Sequence, residues 1–204
     1  MYYEVITIQI VLASASPRRS ELLKQIGLDF IIVPSKIDEG NNDNLSPAEL
    51  VQYLAYQKAM DVAEQMAQTG HNNRYLVIGA DTVVVKDGII GKPADRHEAF
   101  CILSRLRGGW HEVFTGIALI DTRDFKYIKG FETTRVKMKE MSDDTIFAYI
   151  DSQEPMDKAG AYGVQGKGAV LVERVEGCYF NVVGLPLPRL AELLKEFGVC
   201  VFKH

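Results

Sequence analysis

The feature that most constrains this chain lies near its start, at Ser14-Ala15-Ser16-Pro17-Arg18-Arg19, where an apolar run stops and a helix begins. Ile8 to Leu12 read as a buried strand. Ser16 is a favoured N-cap residue, and Pro17 suits the first helical position because its fixed φ is already helical and its missing N–H is not needed there. Leu22, Leu23 and Ile26 supply an apolar face, and Gly27 ends the helix. Arg18 and Arg19 do not fit a purely structural first turn. Two cations beside the positive end of the helix dipole cost about 0.3–1 kcal/mol each. A bound anion would offset that cost, since backbone N–H groups and two guanidinium forks would point at it. The plainer alternative is that both arginines face solvent or pair with carboxylates elsewhere.

A chain of 204 residues with 47% hydrophobic content can bury one good core, in one lobe or two. A net charge of −4 leaves no basic footprint for a nucleic-acid duplex. Cys101, Cys178 and Cys200 are odd in number and widely spaced, which suits neither a disulfide framework nor a zinc site and points to a reducing cytoplasm. Met1 to Ile10 include Glu4 and lack a basic region before an apolar stretch, so they do not read as a signal peptide. No apolar run approaches the ~20 residues that span a bilayer. The expectation is a soluble cytoplasmic protein with no nucleic-acid or membrane partner.

Further along, Phe30 to Val33 read as a second strand. Ser46-Pro47-Ala48-Glu49 is a capping box opening a helix to about Gln68, with Leu50, Val51, Leu54, Ala55, Val62 and Met66 on its apolar stripe. Lys58 falls on that inward stripe, where most lysines snorkel outward and a phosphate contact is the alternative. Tyr75 to Ile78 begin a strongly apolar strand, broken at Gly79-Ala80-Asp81-Thr82 and resumed by Val83 to Val85. A carboxylate such as Asp81 inside a core strand is costly unless paired, hydrogen-bonded or holding a metal; a bulge turning it outward is the competing reading. Asp87-Gly88 marks a hairpin whose returning strand, Ile89-Ile90, ends in Gly91-Lys92-Pro93 and is expected to bring Lys92 alongside Asp81.

Asp95 to Glu98 cap a helix to about Leu106 with Gly108-Gly109 as its stop, and Val113 to Ile120 and Tyr127 to Met138 read as strands. Ser142 caps a short helix with Ile146, Phe147 and Ile150 inward. The span Asp157 to Gly168 holds four glycines, implying tight turns or close approach to a ligand, though it is neither a Walker A loop nor a dinucleotide fingerprint. A flexible connector is the bland reading, against which Asp157, Lys158, Gln165 and Lys167 bring more chemistry than a linker needs. Ala169 to Val175 and Phe180 to Val183 are expected strands, Pro186 to Phe197 a helix, and Val199 to Phe202 a closing strand.

Cations, a few carboxylates and a glycine-rich loop are what phosphoanhydride hydrolysis requires: cations offset charge on the phosphates, and carboxylates bind a divalent metal or orient and deprotonate water. His71, His97, His111 and His204 lie outside these stretches, which argues against a Ser-His-Asp site.

These motifs resemble the Maf family of nucleoside triphosphate pyrophosphatases, also called septum-formation-inhibitor-like proteins. The resemblance runs from Leu12 to Leu194 and rests on Leu12 to Arg19, Gly79 to Val84, Gly91-Lys92-Pro93, Glu154 to Gly166 and Asn181 to Pro186. It implies a single α/β domain over residues 1–204, Maf/ITPase-like, with a long, highly twisted mixed sheet flanked by helices and two lobes around a central cleft. It implies hydrolysis between the α- and β-phosphates, with a divalent cation, Mg or Mn. By the same resemblance, Asp81 is the general base or metal-organising carboxylate, Glu39 assists the metal or the water, Lys58 and Lys92 belong with them to the catalytic set, and Glu39 and Asp157 are further candidate metal ligands. Ser14, Arg19, Lys58 and Lys92 hold phosphates, and Lys158 completes the site. Arg18, Thr82 and Gln165 match the specificity positions of the dTTP/UTP branch; a glutamine amide both donates and accepts, so it can match a pyrimidine edge. Gln57 stands where the family often has Glu, and Cys178 where Ser is more usual. The substrate is expected to be a pyrimidine triphosphate and the assembly a homodimer. The alternatives are a 7-methyl-GTP or purine triphosphate pyrophosphatase, and a non-catalytic nucleotide- or nucleic-acid-binding regulator of cell division.

Overall fold

The computed structural model describes residues 8–37, 44–69 and 73–202. Its strands are β1 (Ile8–Leu12), β2 (Phe30–Ile32), β3 (Arg74–Val85), β4 (Ile89–Ile90), β5 (Trp110–Asp121), β6 (Tyr127–Met138) and β7 (Val172–Glu176). Its helices are α1 (Pro17–Gln25), α2 (Pro47–Thr69), α3 (Arg96–Leu106), α4 (Asp143–Asp151), α5 (Tyr179–Val183) and α6 (Leu187–Lys195), with three short 3-10 turns between α4 and β7. The strands form one mixed sheet in the order β2-β1-β3-β5-β6-β7, with β4 added on β3. The expected mixed α/β architecture is therefore present. By compactness the chain divides into two units, the first ending on β3 at Asp81 and resuming over Gly116–Phe131 and from Leu187 onward, the second made of Thr82–Thr115 and Glu132–Pro186.

In the first unit, β1 pairs in parallel with β2 on one side and β3 on the other. A strand enclosed in this way reads as a nearly unbroken apolar run, which is what Ile10, Val11 and Leu12 provide, all buried. Helix α2 starts at the expected capping box: the Ser46 N–H donates to Glu49 Oε2 at 2.9 Å and the Glu49 N–H to Ser46 Oγ at 3.3 Å. Its small residues Ala55, Ala59 and Ala63 are fully buried against Val77, Ala118 and Ile120. Two glycines allow that close seat. A Cβ on Gly79 would lie 2.1 Å from the Ala55 carbonyl oxygen, and one on Gly116 would lie 2.2 Å from that of Val51. Arg74 Nε and Nη2 fork onto Asp121 Oδ2 at 2.8 and 2.6 Å.

The second unit has its own core, in which α3 and α4 bury Leu103, Leu106, Ile146 and Ile150 with Val113, Val136 and Met138 of the strands. Asp95 and Ser142 cap these helices as expected, accepting from the N–H groups of Glu98 at 2.8 Å and Thr145 at 3.2 Å.

Several expectations are corrected. Gly79-Ala80-Asp81-Thr82 do not interrupt the strand, because β3 runs unbroken and Gly79 serves helix packing rather than a turn. Phe180 to Val183 are helical in α5, closed by Gly184 at φ 120°; a short apolar run carries no period that separates strand from buried helix. Ala169 to Leu171 belong to a 3-10 turn, and β7 starts only at Val172. Val199 to Phe202 form no strand. Phe147 is not inward: it is 38% exposed and stacks on Phe100 at the surface.

Candidate active site

In the first unit, β1 delivers the chain to Ser14 and α1 starts three residues later. Ser16 has the extended backbone of an N-cap, yet its side chain makes no capping bond. The organising hydroxyl is Ser14, 8% exposed, whose Oγ lies 3.2 Å from both the Ser16 N–H and Arg19 Nη1. Arg19 is thus drawn toward Ser14, and both it and Arg18 are half-buried rather than splayed into solvent. The first turn of α1 itself holds no acidic residue.

Asp81 is buried at the end of the first unit's stretch of β3, and Lys58 of α2 reaches it, Nζ to Oδ1 2.6 Å. Strand alternation explains the meeting. Gly79 and Asp81 share a face, so the glycine that admits the α2 backbone also points the carboxylate at that helix. Lys58 lies one turn beyond Ala55, the residue seated on Gly79. The inward position expected for Lys58 is therefore present, with a carboxylate as its neighbour. Removing one member of such a buried pair leaves an uncompensated charge, at a cost of about 3–5 kcal/mol.

In the second unit, Thr82 Oγ1 lies 2.9 Å from Thr115 Oγ1, and Thr115 is fully buried. Lys92 is exposed just past β4, whose ladder with β3 is the short pair Val84–Ile90 and Val85–Ile89. The glycine-rich span is no loose connector. Glu154 anchors it: Oε1 accepts from Tyr149 Oη and the Gly168 N–H, both at 3.0 Å, and Oε2 accepts from the Lys167 N–H at 2.9 Å. Burial raises the Glu154 pKa, but these donors outweigh it and hold the carboxyl below its ordinary range. Burial pushes the Tyr149 phenol up, keeping it a proton donor. Gly160 takes φ 73° and lies so close to Val84 that a Cβ would sit 2.8 Å from Cγ2. Lys158 Nζ reaches the Glu154 carbonyl at 2.5 Å and Asp157 Oδ1 at 2.7 Å, bracing the same turn. Gln165 stands half-buried ahead of the last 3-10 turn.

The structure thus brings together Ser14 with Arg19, Lys58 with Asp81, and Asp157 with Lys158. Glu39 lies outside the described residues. Sequence reasoning missed Glu154, Tyr149, Thr115 and Asn181. Glu154 and Asn181 each open a motif that carries the resemblance, and Tyr149 and Thr115 are polar groups within largely apolar stretches, but neither signal by itself names a hydrogen-bond partner. Cys178 contributes through its backbone, its carbonyl accepting from Thr134 Oγ1 at 3.0 Å, so the replacement of a serine there leaves this bond intact.

A mixed α/β sheet carrying an arginine-bearing helix start, a lysine-paired core carboxylate and a glutamate-anchored glycine turn defines a class. The chain belongs to the Maf family: the Maf-like protein model matches residues 9–197. Among its relatives, the dTTP/UTP pyrophosphatase of Acetivibrio thermocellus is 68% identical over 197 residues, 96% of this chain and 98% of that protein. Enzymes of the same name from Thermoanaerobacter sp. (50% identical, 94% of this chain and 98% of the relative) and Caldicellulosiruptor bescii (46%, 96% and 98%) are also similar.

Proposed function

We propose that the protein is a nucleoside triphosphate pyrophosphatase acting on dTTP and UTP, releasing the nucleoside monophosphate and pyrophosphate. The observation that carries this reading is the buried Asp81 carboxylate fixed by Lys58 at 2.6 Å, in a chain 68% identical to a dTTP/UTP pyrophosphatase. Asp81 takes a proton from the attacking water, whose oxygen forms a bond to the α-phosphorus. The bridging P–O bond breaks, and pyrophosphate leaves with the bonding electrons. Lys58 holds the carboxylate in place through its 2.6 Å contact. Ser14, Arg19, Lys92 and Lys158 hold phosphate oxygens, while Arg18, Thr82 and Gln165 meet the base.

Among the described residues, no three His, Cys, Asp or Glu side chains converge into a metal cage. A buried carboxylate such as Asp81 nevertheless fits Mg²⁺, or the similar Mn²⁺, arriving on its nucleotide, since such ions use one or two carboxylates plus substrate phosphates. Asp81 is the residue to hold it, with Glu39 and Asp157 as further candidates. When bound, the ion would neutralise charge on the phosphates. None of the described helices is long and apolar enough to cross a membrane. We also propose a cytoplasmic setting and a homodimer.

Incubation with UTP or dTTP and Mg²⁺ is expected to release pyrophosphate and monophosphate in equal amounts. Asp81→Asn is expected to lower kcat by at least a hundredfold, on the scale of positioned proton transfer, with a much smaller change in nucleotide affinity. Release of orthophosphate instead, or an Asp81→Asn enzyme as fast as the original, would count against the proposal.

A further inference from the structure

We infer that Tyr149 and Glu154 are positioning residues for base selection, closing the neck of a loop over residues 163–168 so that Gln165 is held in one place before a nucleotide arrives. The inference rests on the proposed function, which brings a base to Gln165.

One run of hydrogen bonds joins the two ends of this loop. The Gly163 N–H donates to Tyr149 Oη at 3.1 Å. An N–H can only donate, so the phenol oxygen accepts there and sends its own proton to Glu154 Oε1, 3.0 Å away. The same Oε1 accepts from the Gly168 N–H at 3.0 Å, and Oε2 accepts from the Lys167 N–H at 2.9 Å. Residues 163 and 168 are thereby tied through two side chains, with Gln165 between them.

Both anchors have fixed places. Tyr149 is 6% exposed and lies in the core of the second unit with Ile146, Ile150 and Leu171. The Glu154 carbonyl accepts from Lys158 Nζ at 2.5 Å, which braces the backbone that carries the carboxylate. Glycines let the loop come this close. A Cβ on Gly168 would lie 2.5 Å from Tyr149 Oη, and one on Gly166, where φ is 62°, would lie 2.7 Å from Glu154 Oε2. The glycines are the backbone half of the neck, and Tyr149 and Glu154 are the side-chain half.

Gln165 is half-buried and carries an amide with a donor at one end and an acceptor at the other. An amide free to shift adapts either to the edge of uracil or to the reversed donor and acceptor edge of cytosine. Held by its loop, it matches one edge and leaves the other with unpaired groups, which is how a polar site refuses an analogue. Hydrogen bonds weaken steeply with misalignment, so a loop that stays in place sharpens that refusal.

The test compares kcat/KM for UTP and CTP in the original protein, Glu154→Gln, Tyr149→Phe, Gln165→Ala and the Glu154→Gln/Gln165→Ala double variant, each checked for folding by circular dichroism. Glutamine keeps the shape of glutamate but turns an amide nitrogen toward at least one of the converging donors. The Lys158 contact, made to the backbone, is untouched. In Glu154→Gln the UTP:CTP preference is expected to narrow by roughly tenfold, and amide hydrogen exchange over residues 163–168 to quicken by a similar factor. Tyr149→Phe keeps the ring in the core and is expected to narrow the preference in the same direction. In the Gln165→Ala background, adding Glu154→Gln is expected to change it no further. A purely structural Glu154 would slow UTP and CTP by the same factor, and that result would overturn the inference. An original protein that turns over CTP as well as UTP would do so too. Should Glu154→Gln fail to fold, Tyr149→Phe decides: an unchanged preference sinks the inference. Should neither fold, exchange in the original protein decides, and amides of Gly163, Lys167 and Gly168 as unprotected as in a free peptide would overturn it. Failure of the original protein to release pyrophosphate from UTP or dTTP is a distinct result, overturning the proposed function and this inference with it.

Discussion

His111 shows how much a single side chain can escape a reading of the sequence. It is 3% exposed, its Nε2 is 2.7 Å from Tyr162 Oη, and its Nδ1 is buried without a partner among the described residues. Burial, with the Lys86 ammonium adding to it, lowers its pKa from 6.5 to about 4. The unfolded chain takes up this proton near pH 6.5 and the folded chain only near 4, so the stability held above 6.5 is lost as pH falls toward 4. About 2 kcal/mol of that loss falls between pH 7 and 5. The urea midpoint is expected to drop over this interval and to drop far less in His111→Phe; equal drops would show that another group titrates. Asp81 was legible because a carboxylate in a core strand demands a partner. Its partner was not, since Lys58 comes from a helix 23 residues away and meets it only because Gly79 lets that helix sit down.

Elements were legible where their signals are local and failed where packing decides. The boxes at Ser46–Glu49 and Asp95–Glu98 mark helix starts, because the orphan N–H groups there need side-chain acceptors whatever the tertiary fold. Gly79 carries the opposite lesson: it reads as a strand breaker, yet it lies within an unbroken β3 as a seat for α2. Seating α2 has an energetic consequence. Gly79→Ala and Gly116→Ala would each drive a Cβ to within 2.1–2.2 Å of a helix carbonyl oxygen, which only movement of α2 can relieve. Overpacking of this kind costs about 1–3 kcal/mol, occasionally more. Gly91→Ala, with nothing within 4 Å of the added Cβ, is expected to stay within about 0.5 kcal/mol of the original protein. Chemical denaturation of the three variants checks this, and a Gly79→Ala protein as stable as Gly91→Ala would remove the close helix seat. Movement of α2 also carries Lys58 away from Asp81, so Gly79→Ala is expected to lower kcat well beyond any loss of folded protein.

At the scale of the whole molecule, the residues proposed for the site divide by unit: Ser14, Arg19, Lys58 and Asp81 fall in the first, and Thr82, Lys92, Lys158 and Gln165 in the second. The division itself was not legible in the sequence, because β3, β5 and β6 each contribute residues to both units and no linker marks the change. A nucleotide that binds only the folded chain stabilises it by RT ln(1 + [L]/Kd), about 2.7 kcal/mol at a hundredfold excess over Kd. For a protein of this size each kcal/mol raises Tm by roughly 2–4 °C, so the expected rise is about 5–10 °C. Asp81→Asn is the form to use, since turnover would otherwise consume the ligand during the scan. With Mg²⁺ present, UTP and dTTP are expected to give the full rise, and CTP, ATP and GTP at the same concentration a smaller one. Arg19→Ala added to this background should shrink the rise for every triphosphate in proportion, because a phosphate contact is blind to the base. Equal rises for all five nucleotides would leave the phosphate groups as the only recognition and remove Arg18, Thr82 and Gln165 from base selection.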